Sequence, residues 1–375
     1  MNIKTVMTIV GTRPELIRLS RLIPALDQHF KHIFVHTGQN SAVQLNRVFF
    51  HELAIRTPDH FLNCDSSSLG SFLGDVLQKV EELFKTEVPD AVLILGDTNS
   101  AIAALMAKRM HIPVYHLEAG NRSFDENVPE ETNRRMVDHI ADFNLAYTEH
   151  ARRNLLAEGL SPRRMLVTGS PMGEVLDHYK AGITNSKALE TLGLVPEKYF
   201  LVSAHRQENV DSPERLAQLL DTLNGIHLKW NLPVLVSTHP RTQKQLLALP
   251  NGGERDGLIF HEPFGFFDYV SLQKNALAVL SDSGTISEES SILGFPAVTL
   301  RDSMERPEAL DAGAIVMTGL GLDNVLAGLE SVIDGGQSNH PLPTGYEVLN
   351  FSERVVKFLL STIERHHEWA GIRRG

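Results

Sequence analysis

Short apolar runs rich in β-branched residues alternate with amphipathic helical segments along almost the whole chain. A strand–helix–strand order of this kind is typical of parallel sheets with helices on both faces. The sequence predicts strands at 5–10, 32–36, 91–95, 113–117, 143–146, 199–203, 234–237, 258–260, 276–281, 297–299 and 314–317. Helical patterns lie between them, for example at 14–28, 71–84 and 99–110, with a last helix near 352–364. The fold class is therefore α/β.

The alternation pauses once, in a polar and weakly periodic stretch at about 170–192. A chain of 375 residues is too long for one ordinary core. We therefore predict a first α/β domain over residues 1–170, a second over 171–352, and a C-terminal helix and tail over 353–375. Ligands of such sheets bind at the carboxyl ends of the strands, so we expect the site in a cleft between the two domains.

Charge and cysteine content exclude several classes of protein. The formal charge of −11 argues against a nucleic-acid or anionic-membrane surface. Cys64 is the only cysteine, so neither a disulfide framework nor a cysteine zinc site is expected. The first apolar run ends after about seven residues at Gly-Thr-Arg-Pro, which lacks the plan of a signal peptide, and no apolar run approaches the ~20 residues of a membrane span. We expect a cytoplasmic protein.

The first predicted strand is followed by GTRPELIR. Gly11 permits a tight turn and Pro14 suits the first turn of a helix. Arg13 is thereby placed at a helix N-terminus, where backbone N–H groups also attract anions, and Arg18 follows one turn later. These two arginines are candidate phosphate ligands. The alternative is an ordinary strand–helix turn with a surface arginine.

Two acids follow neighbouring strands in the first half. Asp97 comes after 91–95 in GDTNS, and Glu118 comes after 113–117 in EAG. Both leave the predicted sheet at the same edge, although Asp97 could also serve only as a helix N-cap. Glu130 follows Pro129 and begins an apparent helix, where an acid can merely complement the helix dipole. Asp97, Glu118 and Glu130 are the candidate acid and base groups.

The second half contains a predicted phosphate site. LSDSGTISEESS runs from a strand through Ser283, Gly284 and Thr285 into a helix, and hydroxyls, a glycine and a helix N-terminus together suit a phosphate. Glu289, further along this helix, is a candidate for ribose hydroxyls.

Two basic groups follow other strands of this half. His205 follows 199–203 in AHRQEN, and Arg306 follows 297–299 in TLRDSMERPE. A structural histidine is the alternative for His205.

Several motifs are absent from the sequence. It has no GxxxxGK, no complete GxGxxG and no HExxH, so neither a nicotinamide cofactor nor a metal is expected. His366 and His367 are read as a solvated tail. No cofactor is therefore expected.

In combination, these motifs resemble the non-hydrolysing UDP-N-acetylglucosamine 2-epimerase family. The matching pieces are GTRPE, GDT, EAG with PEE-x-NR, HR-x-EN, DSG-x-I-x-EE and R-x-x-x-ERPE, in this order along most of the chain. The resemblance implies a glycosyltransferase-B-like fold with two Rossmann-like domains, a cleft between them and a C-terminal helix that crosses back to the first domain. It also implies a UDP-sugar substrate and a homodimer.

Within the family, the chain looks most like the branch that acts on 6-deoxy sugars. That branch converts UDP-2-acetamido-2,6-dideoxy-L-talose to UDP-N-acetyl-L-fucosamine for capsule or O-antigen, and the similar pieces are VHTGQN, GNRSFDENVPEE, TGSPMGEVL, STHPR and PFGFFDY. GQNS stands where other members carry a Gln-His-Arg sequence tied to activation by UDP-GlcNAc. The alternatives are a UDP-GlcNAc/UDP-ManNAc 2-epimerase, a retaining glycosyltransferase and a non-catalytic UDP-sugar sensor.

The resemblance also assigns roles to the candidate residues. Acid–base catalysis would belong to the three carboxylates, with the base and the acid not distinguished, and PFGFFDY would line the uracil pocket. Arg306 would support the phosphates or the sugar, and Glu289 would bind ribose. The diphosphate would be held by Arg13, Arg18, His205, Ser283, Gly284 and Thr285, with His205 also counted as catalytic because it retains UDP.

Overall fold

The computed structural model describes residues 3–39, 50–249, 253, 255–335 and 341–373. Its two compact units are Met1–His178 with Thr344–Gly375, and Tyr179–Pro343. The boundaries lie at 178/179 and 343/344 rather than at the predicted 170/171 and 352/353, because the helix Met172–His178 packs against the C-terminal segment of the first unit. Ser352 N–H, for instance, donates to Glu174 Oε2 at 2.8 Å. Asn40 and Ser41 of the GQNS sequence lie outside the described residues.

The first unit contains a parallel sheet of seven strands in the order β3-β2-β1-β4-β5-β6-β7 within the described residues. β4, AVLIL, is fully buried and apolar, and β1, TVMTIV, is buried from Val6 to Val10, as expected for strands covered by helices on both faces. Their bounds are β1 Thr5–Val10, β2 Lys31–His36, β3 His60–Phe61, β4 Ala91–Leu95, β5 Val114–Leu117, β6 Phe143–Ala146 and β7 Met165–Val167.

Helices connect these strands, as the alternation predicts. The α-helices of the first unit are Arg13–Leu19, Leu22–His29, Leu69–Glu87, Ala103–Arg109, Pro129–Ile140, Glu149–Ala157, Met172–His178, Phe351–Thr362 and His366–Ala370, and short 3₁₀ segments occupy Asn99–Ile102, Pro162–Arg164 and Ile363–Arg365.

The C-terminal helix Phe351–Thr362 returns to the first unit, which confirms that part of the predicted fold. Thr362 Oγ1 lies 2.7 Å from the hydroxyl of Tyr115 in β5, and the Phe358 ring meets the Phe143 ring edge-on at 5.5 Å. The tail beyond this helix also packs on the unit. His366 is 2% exposed and its Nε2 lies 2.9 Å from Asp142 Oδ1, so its assignment to a solvated end is wrong.

The second unit has a parallel sheet of six strands in the described residues, in the order β10-β9-β8-β11-β12-β13. Their bounds are β8 Phe200–Ser203, β9 Val234–Ser237, β10 Leu258–His261, β11 Ala278–Ser281, β12 Ala297–Thr299 and β13 Val316–Met317. The helices of this unit are Lys180–Thr184, Ala188–Leu192, Gln207–Val210, Pro213–Trp230, Pro240–Leu247, Phe266–Asn275, Ile286–Leu293, Glu308–Asp311 and Leu322–Asp334. None of the helices in the described ranges is both long and apolar enough to cross a membrane.

Both sheets reverse their strand order at one point, and Arg13, Asp97, His205 and Ser283 follow the strands on either side of those points. In the first sheet β1 pairs with β2 on one side and with β4 on the other, and in the second β8 likewise lies between β9 and β11. Connections leave such neighbouring strands in opposite directions, which opens a crevice at the carboxyl edge of a doubly wound sheet. The predicted two-domain α/β fold is confirmed, and each unit presents one such edge.

One predicted helix is interrupted. The pattern at 14–28 forms two helices, Arg13–Leu19 and Leu22–His29, with Ser20 as the C-cap of the first. Pro24 accounts for the break, because proline has no N–H for the carbonyl of Ser20 and its ring would collide with that carbonyl in a continuous helix. The short edge strands β3 and β7 were not predicted, since two or three residues carry no visible alternation.

Candidate active site

The first unit gathers charged side chains at the carboxyl edge of its sheet; we call Arg13, Arg18, Asp97, Glu118 and Glu130 the carboxylate cluster. Leu95 of β4 pairs with Leu117 of β5, and Gly96 N–H donates to the Leu117 carbonyl at 2.9 Å. Asp97 and Glu118 therefore leave adjacent strands at the same edge. A methyl group placed on Gly96 would lie 3.9 Å from Glu118 Oε2, so the Glu118 carboxylate lies over the turn that presents Asp97.

Glu118 is held in an uncommon conformation. Its φ of 65° is in the left-handed region, and the residue is 7% exposed. Asn121 Nδ2 donates to its Oε1 at 3.3 Å, and Arg18 Nε lies 3.7 Å from its Oε2. A non-glycine residue in this region costs on the order of 1–3 kcal/mol and is common at functional sites. The structure thus places the buried Arg18 beside a carboxylate, in the region where the sequence suggested a phosphate contact.

Asp97 is not a helix N-cap. That position, before the 3₁₀ segment Asn99–Ile102, is taken by Thr98. The Asp97 carboxylate instead forms an ion pair with Arg134, whose Nε lies 3.0 Å from Oδ2 and whose Nη2 also donates to it. Asn133 Nδ2 donates to the Asp97 carbonyl at 3.0 Å. The alternative role as a cap is therefore excluded by the geometry.

Glu130 approaches the cluster from the helix Pro129–Ile140. It precedes Asn133 and Arg134 by three and four residues, and side chains with these spacings share one face of a helix. Since both of those residues contact Asp97, Glu130 lies on the helix face that is turned towards it. Glu130 is also in the first helical turn, so a favourable interaction with the helix dipole applies as well.

Arg13 begins the helix Arg13–Leu19 directly after the β1 turn, as predicted. Burial lowers the pKa of its guanidinium below the ordinary value. A partly desolvated cation at a strand end is a suitable partner for an anionic ligand.

A buried polar network that the sequence did not predict supports the carboxyl edge of the first sheet, beneath the carboxylate cluster. Asp138 is fully buried and accepts hydrogen bonds from Gly120 N–H at 3.1 Å and Arg122 Nη1 at 2.7 Å. His116 Nδ1 lies 2.7 Å from Asp138 Oδ1, and His116 Nε2 lies 2.8 Å from the carbonyl oxygen of Gly96. Arg122 also pairs with Glu158. The network ties the turns that carry Asp97 and Glu118 to the helix Pro129–Ile140.

Glu131 is a structural carboxylate rather than a solvated charge at a helix start. It is 3% exposed and accepts hydrogen bonds from Ser123 N–H at 2.9 Å, Ser123 Oγ at 3.0 Å and Arg134 Nη1 at 2.6 Å. Burial acts to raise its pKa, but the bonds from Ser123 and the charge of Arg134 lower the pKa overall. Glu131 thus fastens the loop after Glu118 to the helix that carries Glu130.

Glu15 is the second unpredicted feature of this edge. The residue is 2% exposed; its Oε2 accepts from Gly11 N–H at 3.0 Å and from Thr12 Oγ1 at 2.7 Å, and its Oε1 accepts from Thr98 Oγ1 at 3.4 Å. One carboxyl group therefore joins the turn that presents Arg13 to the turn that presents Asp97. Burial, which outweighs these hydrogen bonds, raises the pKa of Glu15 to about 7.

The raised pKa of Glu15 predicts a pH-dependent effect of the substitution Glu15→Gln. The ordinary pKa is 4.5, so between about pH 4.5 and 7 the unfolded chain loses a proton that the folded protein keeps. The free energy of unfolding then falls as pH rises across this window, by about 3 kcal/mol in total, and is constant above it. Glutamine cannot ionise. We expect the variant to match the parent near pH 4.5 and to exceed it by about 3 kcal/mol at pH 8.

Denaturant unfolding of both proteins at several pH values measures this difference. Burial also lowers the pKa of His36 to about 4, which makes the protein more stable as pH rises from about 4 to 6.5. That contribution is common to parent and variant and cancels in the comparison. A constant difference between the two proteins from pH 4.5 to 8 would contradict the assignment.

In the second unit, the other predicted residues gather where β8 and β11 end; we call His205, Ser283, Gly284, Thr285, Glu289 and Arg306 the glycine-turn cluster. Ser203 of β8 pairs with Ser281 of β11, so the residues after both strands leave one edge. Asp282 is fully buried and accepts from His205 N–H at 3.0 Å and Arg206 N–H at 3.0 Å. His205 Nδ1 lies 3.4 Å from the same carboxylate. Asp282 therefore positions the His205 turn against the Ser283 turn.

Gly284 is required by close packing. A Cβ at this position would lie 2.3 Å from Glu305 Oε1 and 2.8 Å from Arg306 Nη1. The same arginine lies 3.4 Å from Glu288 Oε2, and Ser283 Oγ lies 3.0 Å from Thr285 Oγ1. Hydroxyls, backbone N–H groups and a guanidinium thus converge on one turn, which is the chemistry that an anionic ligand requires.

The two adjacent acids of the helix Ile286–Leu293 have different environments. Glu288 is fully buried beside Arg306, whereas Glu289 is 8% exposed and accepts a hydrogen bond from Gln273 Nε2 at 2.6 Å. In the PFGFFDY stretch, the Phe264 ring stacks on His261 at 4.2 Å, and both line a cavity of about 160 Å³.

Comparison with known proteins places the chain among nucleotide-sugar epimerases. A family model described as UDP-N-acetylglucosamine 2-epimerase matches residues 24–360. A UDP-N-acetylglucosamine 2-epimerase of Methanococcus maripaludis is 38% identical over 90% of this chain and 94% of its own length. A UDP-2,3-diacetamido-2,3-dideoxy-D-glucuronate 2-epimerase of Pseudomonas aeruginosa is 34% identical over 86% and 90%.

Solved structures agree with these sequence matches. The UDP-N-acetylglucosamine 2-epimerase of Rickettsia bellii is 43% identical, with a TM-score of 0.91 over 99% of this chain and 100% of that one. The UDP-GlcNAc 2-epimerase of Methanocaldococcus jannaschii, solved with UDP-GlcNAc and UDP, is 35% identical, with a TM-score of 0.89 over 95% and 99%. The galactosyltransferase WaaB, at 15% identity and a TM-score of 0.54 over 94% and 99%, shares the glycosyltransferase-B-like fold.

Proposed function

Because the chain belongs to the UDP-N-acetylglucosamine 2-epimerase family, we propose that it inverts C2 of UDP-2-acetamido-2,6-dideoxy-L-talose to give UDP-N-acetyl-L-fucosamine. The enzyme is an isomerase. We further propose that it works as a cytoplasmic homodimer and that its product serves capsule or O-antigen synthesis.

Inversion at C2 of an N-acetylated sugar is difficult because no carbonyl group adjoins C2 and its hydrogen is poorly acidic. The proposed route breaks the C1–O bond to UDP while a base removes the C2 proton, which gives a glycal. UDP then adds back to C1 while an acid delivers a proton to the opposite face of C2. The reaction needs proton-transfer groups at C2 and stabilisation of the departing diphosphate, and positioned acids and bases supply roughly 10²–10⁴-fold.

Proton transfer is assigned to Asp97, Glu118 and Glu130. The observation that carries this assignment is the meeting of Asp97 and Glu118 at one carboxyl edge, after the adjacent strands β4 and β5. Arg18 lies 3.7 Å from Glu118, so a cation is available beside the reacting carboxylate, where the leaving phosphate also needs one.

The diphosphate is assigned to Arg13 and Arg18 of the carboxylate cluster and to the glycine-turn cluster. The hydroxyls of Ser283 and Thr285 and the backbone N–H groups of their turn would bind a phosphate. The space beside the Gly284 Cα is filled by the side chains of Glu305 and Arg306. Asp282 orients the His205 turn, which suits a histidine that retains UDP until it adds back. Arg306 supplies a second cation, and Glu289 is assigned to the ribose hydroxyls.

The choice of sugar rests on sequence pieces rather than on family membership. GNRSFDENVPEE, TGSPMGEVL and PFGFFDY favour the 6-deoxy-L-sugar branch. Relatives of comparable identity are named for different sugars, UDP-GlcNAc in one case and a diacetamido-glucuronate in another. A UDP-GlcNAc/UDP-ManNAc 2-epimerase is therefore the second candidate, favoured by the names of two of the relatives reported above.

In the test, the protein is incubated in D₂O with the 6-deoxy-L-sugar nucleotides and, separately, with UDP-GlcNAc. NMR then detects deuterium at C2. We expect deuterium at C2 and epimer formation with both UDP-2-acetamido-2,6-dideoxy-L-talose and UDP-N-acetyl-L-fucosamine. We expect a kcat/KM for them at least about tenfold higher than for UDP-GlcNAc. UDP-GlcNAc carries a D-sugar with a C6 hydroxyl, and a site built around a C5 methyl group discriminates against an added hydroxyl alone by about one to two orders of magnitude.

The outcomes separate the levels of the proposal. Faster turnover of UDP-GlcNAc would reassign the sugar and leave the epimerase reaction in place. UDP-sugar binding without C2 deuteration would leave only a sensor. Transfer of sugar to an added acceptor, again without C2 exchange, would indicate a glycosyltransferase.

A further inference from the structure

Phe124 is an unusual residue in the loop between Glu118 and Glu130. Its φ is 54°, in the left-handed region, and it is 71% exposed. A bulky aromatic residue in that region is strained, and an exposed aromatic ring forgoes the gain of burial. Both features are unfavourable for the isolated protein. Residues in this state persist where the surroundings enforce them, and they cluster at ligand sites.

Two other left-handed residues, Val88 and Asn231, have a simpler explanation. Val88 and Asn231 follow the ends of the helices Leu69–Glu87 and Pro213–Trp230, where the C-cap position favours this conformation. Phe124 follows no helix; the preceding regular element is β5, which ends at Leu117. Helix termination therefore does not account for its backbone.

The loop on both sides of Phe124 is firmly bonded. Ser123 donates to Glu131 from both its N–H and its hydroxyl, at 2.9 and 3.0 Å. On the other side, Asn127 N–H donates to Asp125 Oδ1 at 2.9 Å and Val128 N–H to the Asp125 carbonyl at 3.2 Å. Glu131 also accepts from Arg134, which in turn donates to Asp97. The loop that carries Phe124 is therefore fastened to the residues that hold the carboxylate cluster.

We propose that the exposed ring of Phe124 packs against the sugar of the bound nucleotide sugar and is a specificity-determining residue for it. This inference deepens the proposed function and rests on it. The aliphatic C–H face of a pyranose and the methyl group of a 6-deoxy sugar are apolar surfaces that an aromatic ring covers well. The sugar of the bound substrate would then bury the Phe124 ring, which is exposed in the free protein. UDP alone, which has no sugar, would leave the ring exposed.

The decisive variant is Phe124→Gly. Glycine adopts a φ of 54° without strain, so removal of the ring should leave the melting temperature unchanged or higher. We expect kcat/KM for the preferred UDP-sugar to fall about 10- to 100-fold, the loss that follows from one aromatic contact. The inhibition constant of UDP should be the same for the variant and the parent, because UDP lacks the sugar. Phe124→Tyr, which retains the ring, should keep most of the activity.

Val88→Gly is a matched control. Val88 is also left-handed, at 46°, and 70% exposed, but it precedes β4 and therefore lies at the opposite edge of the sheet. Its replacement should relieve similar strain with unchanged kinetics. If the glycine variant folds poorly, Phe124→Asn replaces it, because asparagine also tolerates the left-handed conformation.

Three results would overturn the inference. In the first, kcat/KM of the Phe124→Gly variant stays at the parent value. In the second, UDP inhibition weakens as much as substrate use, so the ring acts on the nucleotide. In the third, the oligomeric mass changes while KM does not, so the ring belongs to an interface. If the parent protein itself shows no C2 exchange, the proposed function is refuted, and this inference is refuted with it.

Discussion

Glu118→Gln is expected to lower the rate of C2 deuterium exchange by about 10²–10⁴-fold while the protein stays folded and binds UDP. Glutamine has the same shape, so its side-chain oxygen can still accept the 3.3 Å bond from Asn121. It cannot accept or release the C2 proton. The buried Arg18, 3.7 Å away, loses an anionic neighbour. We therefore expect the free energy of unfolding to fall as well, by up to about 3–5 kcal/mol.

The measurement pairs NMR detection of exchange with calorimetric UDP binding. Glu126→Gln is the matched control, because it makes the same chemical change at an exposed position of the same loop, and its rate should equal that of the parent. If Glu118→Gln binds UDP and epimerises as fast as the parent, Glu118 is not a proton-transfer group. The reaction would then have to rely on Asp97 and Glu130 alone.

The grouping of Asp97 with Glu118 could be predicted because it depends only on local order. Each acid follows a recognisable apolar strand, and carboxyl ends of parallel strands share one edge. The pairing of Leu95 with Leu117 is what this reasoning assumes. The sequence, by contrast, groups His205 with the DSG turn only through the family resemblance. Their adjacency depends on the pairing of Ser203 with Ser281, which belong to strands that are not consecutive in the chain.

The supports beneath these residues could not be predicted in the same way. The helix Pro129–Ile140, with the sequence PEETNRRMVDHI, buries Val137 together with Glu131, Arg134 and Asp138, so most of its buried side chains are charged. A search for hydrophobic periodicity reads such a helix as a solvent-exposed one. The available signal was the spacing of Glu131, Arg134 and Asp138 at i, i+3 and i+7, which places them on one face. Their partners His116 and Arg122 come from another part of the chain.

Glu15 escaped prediction for a different reason. An acid in the first turn of a helix normally complements the helix dipole, so its presence in GTRPE indicates nothing further. Its link to Thr98 exists only because β1 and β4 are neighbours in the sheet, with Met7 opposite Val92. Contacts between distant strand-end turns depend on strand order, which the alternation of strands and helices does not determine.

Asp138→Asn tests whether the buried network holds the carboxyl edge together. Asp138 is fully buried and accepts from His116, Arg122 and Gly120 N–H. An amide offers one accepting oxygen and turns an NH₂ group towards donors, so at least one buried donor loses its partner. Removal of one member of a buried ion pair typically costs about 3–5 kcal/mol, and we expect the free energy of unfolding to fall by this amount.

Urea denaturation of the full chain measures the decrease in the free energy of unfolding. If the two units unfold in two resolved transitions, each transition is fitted by itself. Asp302→Asn provides the comparison, because Asp302 forms an ion pair with Arg215 at 2.8 Å, close to the 2.7 Å of Asp138 with Arg122, but has a side chain that is 62% exposed. Solvent screens such a pair, so its loss should cost less than about 1 kcal/mol. Equal effects of the two substitutions would mean that burial of Asp138 adds nothing to its interactions. The turns of Asp97 and Glu118 would then owe their positions to the strand ends alone.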